Sequence, residues 1–308
     1  MRLVTRADFD GLACGTILCR RGIVRDDFLF VHPKNIQDRE FEITENDVLT
    51  NVPFHENAGL WFDHHSSEIE RVSPEGKFIG RCVPEALSCA RLVYDFYGGV
   101  EKMPELAHMI DEVDRVDSAH LTIEDALNPA DWVLLGFICD PRTGLGRWHG
   151  FEISNRDLMK LLMKELCTYG DLKTVFDNKH VKERVRMYNE QQPLYDEMIR
   201  SISTCKNGVL VIDMRELSSI YVGNRFKPYA LYPDAKVSVT LARGKGDKGS
   251  VVALGSSIFN PLSDYDLGSL CLKYNGGGHK HVGTCQFASR NAAEIQDIIH
   301  ELEEAASK

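Results

Sequence analysis

Over the first hundred residues, short continuous apolar runs alternate with segments of helical period. The runs are RLVT at 2–5, DFLFVHP at 27–33, DVLTNVP at 47–53 and LWFDHH at 60–65, with helical patterns at about 11–21 and 84–97. Such alternation predicts a mostly parallel sheet flanked by helices. From about Asn155 to Ile202 the period is helical and strongly charged, with Leu158, Leu161, Leu162 and Leu166 near one face and breaks expected at Gly170 and Pro193. Beyond it lie the β-type runs GVLVIDM, SSIYVGNRF, AKVSVTLARG, GSVVALGSS and TCQFAS, with helices near 262–274 and 292–306. The pattern predicts an α/β domain over 1–155, a helical connector over 156–204 and a smaller α/β domain over 205–308.

The length of 308 residues and an apolar fraction of 43% are enough for two cores. A formal charge of −10 argues against an electrostatic grip on long duplex DNA, which needs clustered Lys and Arg, and favours a small, locally recognised substrate. Nine cysteines are scattered through both halves with no CxxC pair, so reduced thiols are expected. The opening MRLVTRADFDGLAC lacks the apolar run of a signal peptide, and no stretch has the length of a membrane span; a cytoplasmic protein without a membrane partner is expected.

In open parallel sheets ligands collect at the carboxyl ends of the strands, and here those ends carry chemistry. Asp8-Phe9-Asp10-Gly11 follows the first strand, where two carboxylates one residue apart can share a hard divalent cation. Asp63-His64-His65 follows LWF: one imidazole can ligate, the carboxylate can orient it, and the other imidazole is left for substrate or proton transfer. An acidic run from Asp111 to Asp117 places Asp111 and Asp114 on a similar helical face. In Asn275-Gly276-Gly277-Gly278-His279-Lys280-His281, consecutive glycines can turn backbone N–H groups toward an anion. Singly, these also fit a solvated turn, a water-facing acidic helix and a flexible glycine loop. Together they favour a metal and phosphate site.

Taken in order, VTRADFDGLACG, LWFDHHSS, the acidic segment around Asp114 and NGGGHKH resemble the DHH phosphoesterase family with its carboxy-terminal DHH-associated domain, over nearly the whole chain. The resemblance implies a parallel-sheet catalytic domain, a helical connector, a smaller mixed-sheet α/β domain, and hydrolysis of phosphodiesters or phosphoanhydrides at a Mn2+ or Mg2+ centre between the domains. Members include nanoRNases, exonucleases, cyclic-dinucleotide phosphodiesterases and pyrophosphatases. By position it gives Asp8 to a first metal, and Asp10, His64 and Asp114 (over Asp111 or Asp117) to a second. His65 would contact the phosphate with Asp63 in support, and Gly277, Gly278, His279 and Arg243 would bind the rest of the substrate.

Two positions depart from the family pattern. Arg6 stands where a ligand histidine is usual, and Asn51 where a bridging aspartate is usual. A guanidinium repels a cation, so the resemblance with these changes implies one tightly held ion, Arg6 itself contacting the phosphate. The expected partner is a small phosphorylated substrate or a short single-stranded oligonucleotide, with a homodimer as a further expectation. Two other readings stand beside this one. One is a nucleotide-binding regulator that has lost efficient hydrolysis; the other is an exopolyphosphatase whose groove would use Lys227, Arg243, Lys245 and Lys248.

Overall fold

The computed structural model describes residues 1–25, 27–71, 78–244, 246 and 249–307. The first apolar run becomes strand β1 (Arg2–Thr5), whose Leu3 and Val4 are wholly buried. Around it, β2 (Phe28–Phe30), β3 (Asp47–Thr50), β4 (Leu60–Asp63) and β5 (Gly80–Cys82) form an all-parallel sheet in the order β2-β1-β3-β4-β5. Alternation sends Val4, Leu49 and Trp61 into one core with Val31, Ile36 and Val52. In register, Thr5 lies beside Thr50 and Thr50 beside Phe62, so the carboxyl ends of the central strands make one edge. There the buried hydroxyls of Thr5 and Thr50 bond to each other at 2.9 Å.

Helix α1 (Phe9–Arg20) leaves that edge directly, capped by Asp8, whose Oδ1 accepts the Gly11 N–H at 3.0 Å. A Cβ on Gly11 would lie 2.1 Å from the Arg6 carbonyl oxygen, so only glycine lets the helix start this close to the strand end. The helices that follow include α2 (Cys89–Phe96), α3 (Ala107–Asp117), α4 (Asp131–Cys139), α5 (Asn155–Tyr169), α6 (Leu172–Asp177) and α7 (Lys179–Ile202). Gly170, at φ +71°, ends α5 as expected, but Pro193 lies within α7 and does not break it.

The chain divides into Met1–His120 with Pro129–Tyr188, and Leu121–Asn128 with the chain from Asn189 onward. The segment 156–204 is shared between the two units. Its first part packs on the parallel sheet's helices, where Gly15 of α1 leaves no room for a Cβ beside Met163 of α5. Its last part, with Tyr195, Met198 and Ile199 of α7, covers Leu210 and Ile212 of the second sheet. The division falls inside α7, whose buried residues Val181, Arg184, Tyr188, Tyr195 and Met198 form one stripe running through both units.

In the second unit β6 (Ser203–Lys206), β7 (Val209–Asp213), β8 (Val237–Arg243), β9 (Ser250–Ser256), β10 (Gly277–His279) and β11 (Val282–Phe287) form a mixed sheet, ordered β10-β11-β9-β8-β7-β6. Among these strands only β7 and β8 run parallel. Its other face packs Val239, Leu241, Val252 and Leu254 against α9 (Leu267–Lys273) and α10 (Ala293–Ala306), the helix α8 (Lys227–Leu231) lying on the α7 side. SSIYVGNRF forms no strand, despite its β-type composition. Asn224 caps the start of α8 with its Oδ1, accepting the Phe226 and Lys227 N–H groups, and Gly223 sits against the Tyr195 ring, so the segment follows α7 instead of a ladder. The glycine run is likewise an edge strand, β10, and not a loop. All nine cysteines are free, and among the described residues no helix is long and apolar enough to cross a membrane.

Gly11→Ala should lower stability by about 1–3 kcal/mol through overpacking against backbone, read as a lower urea midpoint with an unchanged slope.

Candidate functional site

Three chain ends of the first unit converge at the carboxyl edge of the parallel sheet: the start of α1, the end of β4 and the last turn of α3. Asp10 is wholly enclosed, with 1% of its surface exposed. Its Oδ1 accepts the Ala90 N–H at 2.7 Å and its Oδ2 the Cys89 N–H at 3.1 Å, both at the start of α2. A helix amino terminus favours a carboxylate. Burial nonetheless pushes the Asp10 carboxyl well above the usual range, and the charges of Asp117 and Asp8 add to this, outweighing the two N–H groups.

His64 follows β4 with its Nδ1 3.1 Å from the Ala86 carbonyl, which can only accept, so Nδ1 carries a proton and Nε2 is the ring nitrogen left for a ligand. That Nε2 is 3.2 Å from Asp117 Oδ2 and 3.9 Å from Asp10 Oδ2. One ligand atom from each of Asp10, His64 and Asp117 falls within 4.8 Å of the others. Asp117 is also raised, burial outweighing the opposing pull of His64 and Arg6. Two carboxylate oxygens and one imidazole nitrogen suit Mn2+ or Mg2+. The raised carboxyls mark buried negative charge that the protein leaves uncompensated and a dication would balance.

The acidic residue brought to Asp10 and His64 is thus Asp117, not Asp114. Asp114 accepts from Ser88 Oγ at 2.6 Å and from Arg91 Nε at 2.8 Å, while Arg91 Nη2 also holds Asp111 at 2.6 Å. Asp111 and Asp114 do share a face, but it is the face that binds Arg91 and fastens α2 to α3. Asp117, one turn further on, reaches the cluster.

Asp8 is surrounded by the protein's own donors. Beyond the Gly11 N–H, its Oδ1 accepts from Asn51 Nδ2 at 3.1 Å, and its Oδ2 lies 3.1 Å from Arg6 Nε. Asn51 holds a left-handed backbone, φ +56°, and its buried Oδ1 has no hydrogen-bond partner among the described residues. Asp63 is fully buried and its Oδ1 lies 2.8 Å from His65 Nδ1, leaving the partly exposed His65 ring fixed edge-on to His64 at 4.7 Å between centroids. Burial works against a charged His65, yet the Asp63 hydrogen bond and charge outweigh it and its pKa rises.

In the second unit Gly277, Gly278 and His279 pair with Thr284, Gly283 and Val282, and β10 is the sheet's edge, so its outer backbone groups are unpaired by the ladder. Arg243 is not beside them. The His279 row crosses the sheet through Val282 and Gly255 to Ser238, five residues from Arg243 along β8, or about 16 Å. Arg243 Nε bonds the Arg215 carbonyl there. Lys227 is buried, its Nζ held by Asp196 at 2.8 Å and Gln192 at 3.0 Å, and is no groove cation; Lys245 and Lys248 lie outside the described residues.

No protein-family model matches the chain, and no curated protein does. Solved structures do. The chain is similar to the pGpG-specific phosphodiesterase PggH from Vibrio cholerae, with 39% identity over 99% of each chain and a TM-score of 0.85. It is similar in fold to RecJ from Thermus thermophilus in complex with Mn2+, at 13% identity, covering 99% of this chain and 52% of that one with a TM-score of 0.54. An exopolyphosphatase-related protein from Bacteroides fragilis aligns at 13% identity over 99% and 92% of the chains, TM-score 0.47. A relative 39% identical over 99% of both chains means that this chain belongs to the DHH family of phosphoesterases.

Proposed function

We propose that the chain hydrolyses the phosphodiester of short linear nucleotides, a pGpG-like dinucleotide foremost, using one Mn2+ or Mg2+ held by Asp10, His64 and Asp117. The observation that carries this is the full-length likeness to a phosphodiesterase described as pGpG-specific. The acidic overall charge agrees with a small substrate over a long polyanion.

When bound, the ion would supply an activated water and charge neutralisation at a phosphate oxygen. The chain's residues do the rest. The α2 amino terminus aims both Asp10 oxygens, and the Ala86 carbonyl, accepting from His64 Nδ1, turns Nε2 toward the two carboxylates. His65, protonated more readily because of Asp63, presents an N–H to a non-bridging oxygen. Arg6, ion-paired with Asp8, takes the place of a second ion and binds the phosphate directly. In the second unit, the outward-facing N–H of the Gly277-Gly278 edge and the His279 imidazole are proposed to bind a terminal phosphate.

Purified protein with Mn2+ should turn over linear dinucleotides in a panel that includes cyclic dinucleotides, pyrophosphate and polyphosphate, and lose all activity in chelator. Nucleotide binding without turnover would replace the enzyme by a regulator, and turnover confined to polyphosphate by an exopolyphosphatase.

Asp117→Asn should weaken Mn2+ binding at least about a hundredfold, since even residues behind the ligands are worth ten- to a hundredfold. Asp114→Ala should leave Mn2+ affinity near that of the wild type and instead reduce stability by about 1–3 kcal/mol. The reverse pattern in calorimetry and denaturation would exchange the two roles.

Because the folded-state pKa values of Asp10 and Asp117 are raised above 3.8, the metal-free fold is most stable with both protonated and loses that stability as pH rises through the raised values. The increase in Tm produced by Mn2+ should therefore be small near pH 5 and larger near pH 8, with metal analysis giving one ion per chain.

A further inference from the structure

A second guanidinium follows a helix that packs against the site, held by Asp140 one turn beyond Gly136. Helix α4 is pressed against the elements that carry the site: at Gly136 a Cβ would meet Phe9 Cδ1 and Val116 Cγ1, each at 3.1 Å, and Trp132 stacks on Phe9 at 6.1 Å between centroids. Phe9 separates Asp8 from Asp10, and Val116 precedes Asp117, so the position of α4 is set by the neighbours of all three carboxylates. The helix ends at Asp140, whose Oδ1 accepts the Arg142 backbone N–H at 2.8 Å and the Arg142 Nε at 2.8 Å, while its Oδ2 lies 2.8 Å from Nη2. Thr143 Oγ1 closes the turn on the Asp140 carbonyl at 2.8 Å. Gripped along the Nε side, the guanidinium keeps Nη1 free of the Asp140 fork, and half of its side-chain surface stays open.

Burial disfavours the charge of Arg142, but the Asp140 hydrogen bond outweighs it, and the charges of Asp140, Asp8 and Asp117 raise its pKa further. Arg142 therefore sits in the field of the site itself. Arg91, by contrast, is taken up by Asp111 and Asp114. A dication and Arg6 match Asp8, Asp10 and Asp117, and Arg142 is itself paired with Asp140, so what it adds beside His65 is a charged N–H donor for an incoming phosphodiester and for the further charge that develops as water attacks.

We infer that Arg142 is a phosphate-binding residue of this site, held side-on by Asp140 so that its free end engages the non-bridging oxygens of the substrate phosphate opposite Arg6. The inference rests on the phosphodiesterase reading above and adds a specific contact to it.

The test uses inorganic phosphate as probe on the Mn2+-loaded full chain, by calorimetry. Arg142→Ala should weaken phosphate binding about ten- to a hundredfold, the range of a lost charge-assisted hydrogen-bond pair. Its KM for a linear dinucleotide should rise by a similar factor while kcat changes less. Arg142→Lys should recover part of the loss, because a point charge replaces a fork. Binding of Mn2+ alone should be kept or slightly tightened, since a like charge has been removed. Phosphate affinity equal to wild type in Arg142→Ala overturns the inference, as does loss of Mn2+ binding in both variants, which would make Arg142 a structural strap. Absence of dinucleotide turnover in the wild type would instead defeat the phosphodiesterase reading, with the phosphate titration still deciding Arg142.

Discussion

The enclosed carboxylate of Asp10 is the constraint around which the first unit is organised. A charge with 1% of its surface exposed can be kept only if the protein aims dipoles or cations at it. Two N–H groups from the start of α2 supply part of this, and they fix where α2 begins. Ser88, capping the same helix, binds Asp114, which binds Arg91, which binds Asp111, so one buried charge is tied through a chain of polar contacts to the orientation of α3. The last turn of α3 then delivers Asp117. The arrangement that makes the site is also the arrangement that leaves it short of positive charge.

Much of this was legible in the sequence because it is local. β1 and β3 coincide with the apolar runs RLVT and DVLT, and Gly11 stands in the motif because the helix has to start against the strand end. Asp10, His64 and Asp63 lie where strand ends put ligands. What was not legible depends on partners distant in the chain. Helical spacing correctly grouped Asp111 with Asp114, yet only Arg91, some twenty positions earlier, decides that this face is structural and that Asp117 is the residue left for the cluster.

The second unit shows the same limit. SSIYVGNRF has the composition of a strand, but Asn224 and Gly223 bind it to α8 and α7; the glycine run looks like a loop, but β11 offers a complete partner and makes it a strand. Arg243 and His279 each looked suited to an anion, and only the strand register reveals that they stand at opposite ends of one sheet. Arg142 had no motif to mark it. Its relation to Asp8 and Asp117 comes from the close packing of α4 at Gly136, which no linear pattern encodes.

The ion pair between Arg6 and Asp8 differs in kind from any metal–carboxylate contact. A cation carried on the peptide chain has no dissociation constant: it cannot be washed out, starved by scarcity of the ion, or exchanged for a poorer one. In the proposed site, where a second bound ion would make that half answer to the cell's supply of metal, Arg6 would make it answer only to whether the chain is folded.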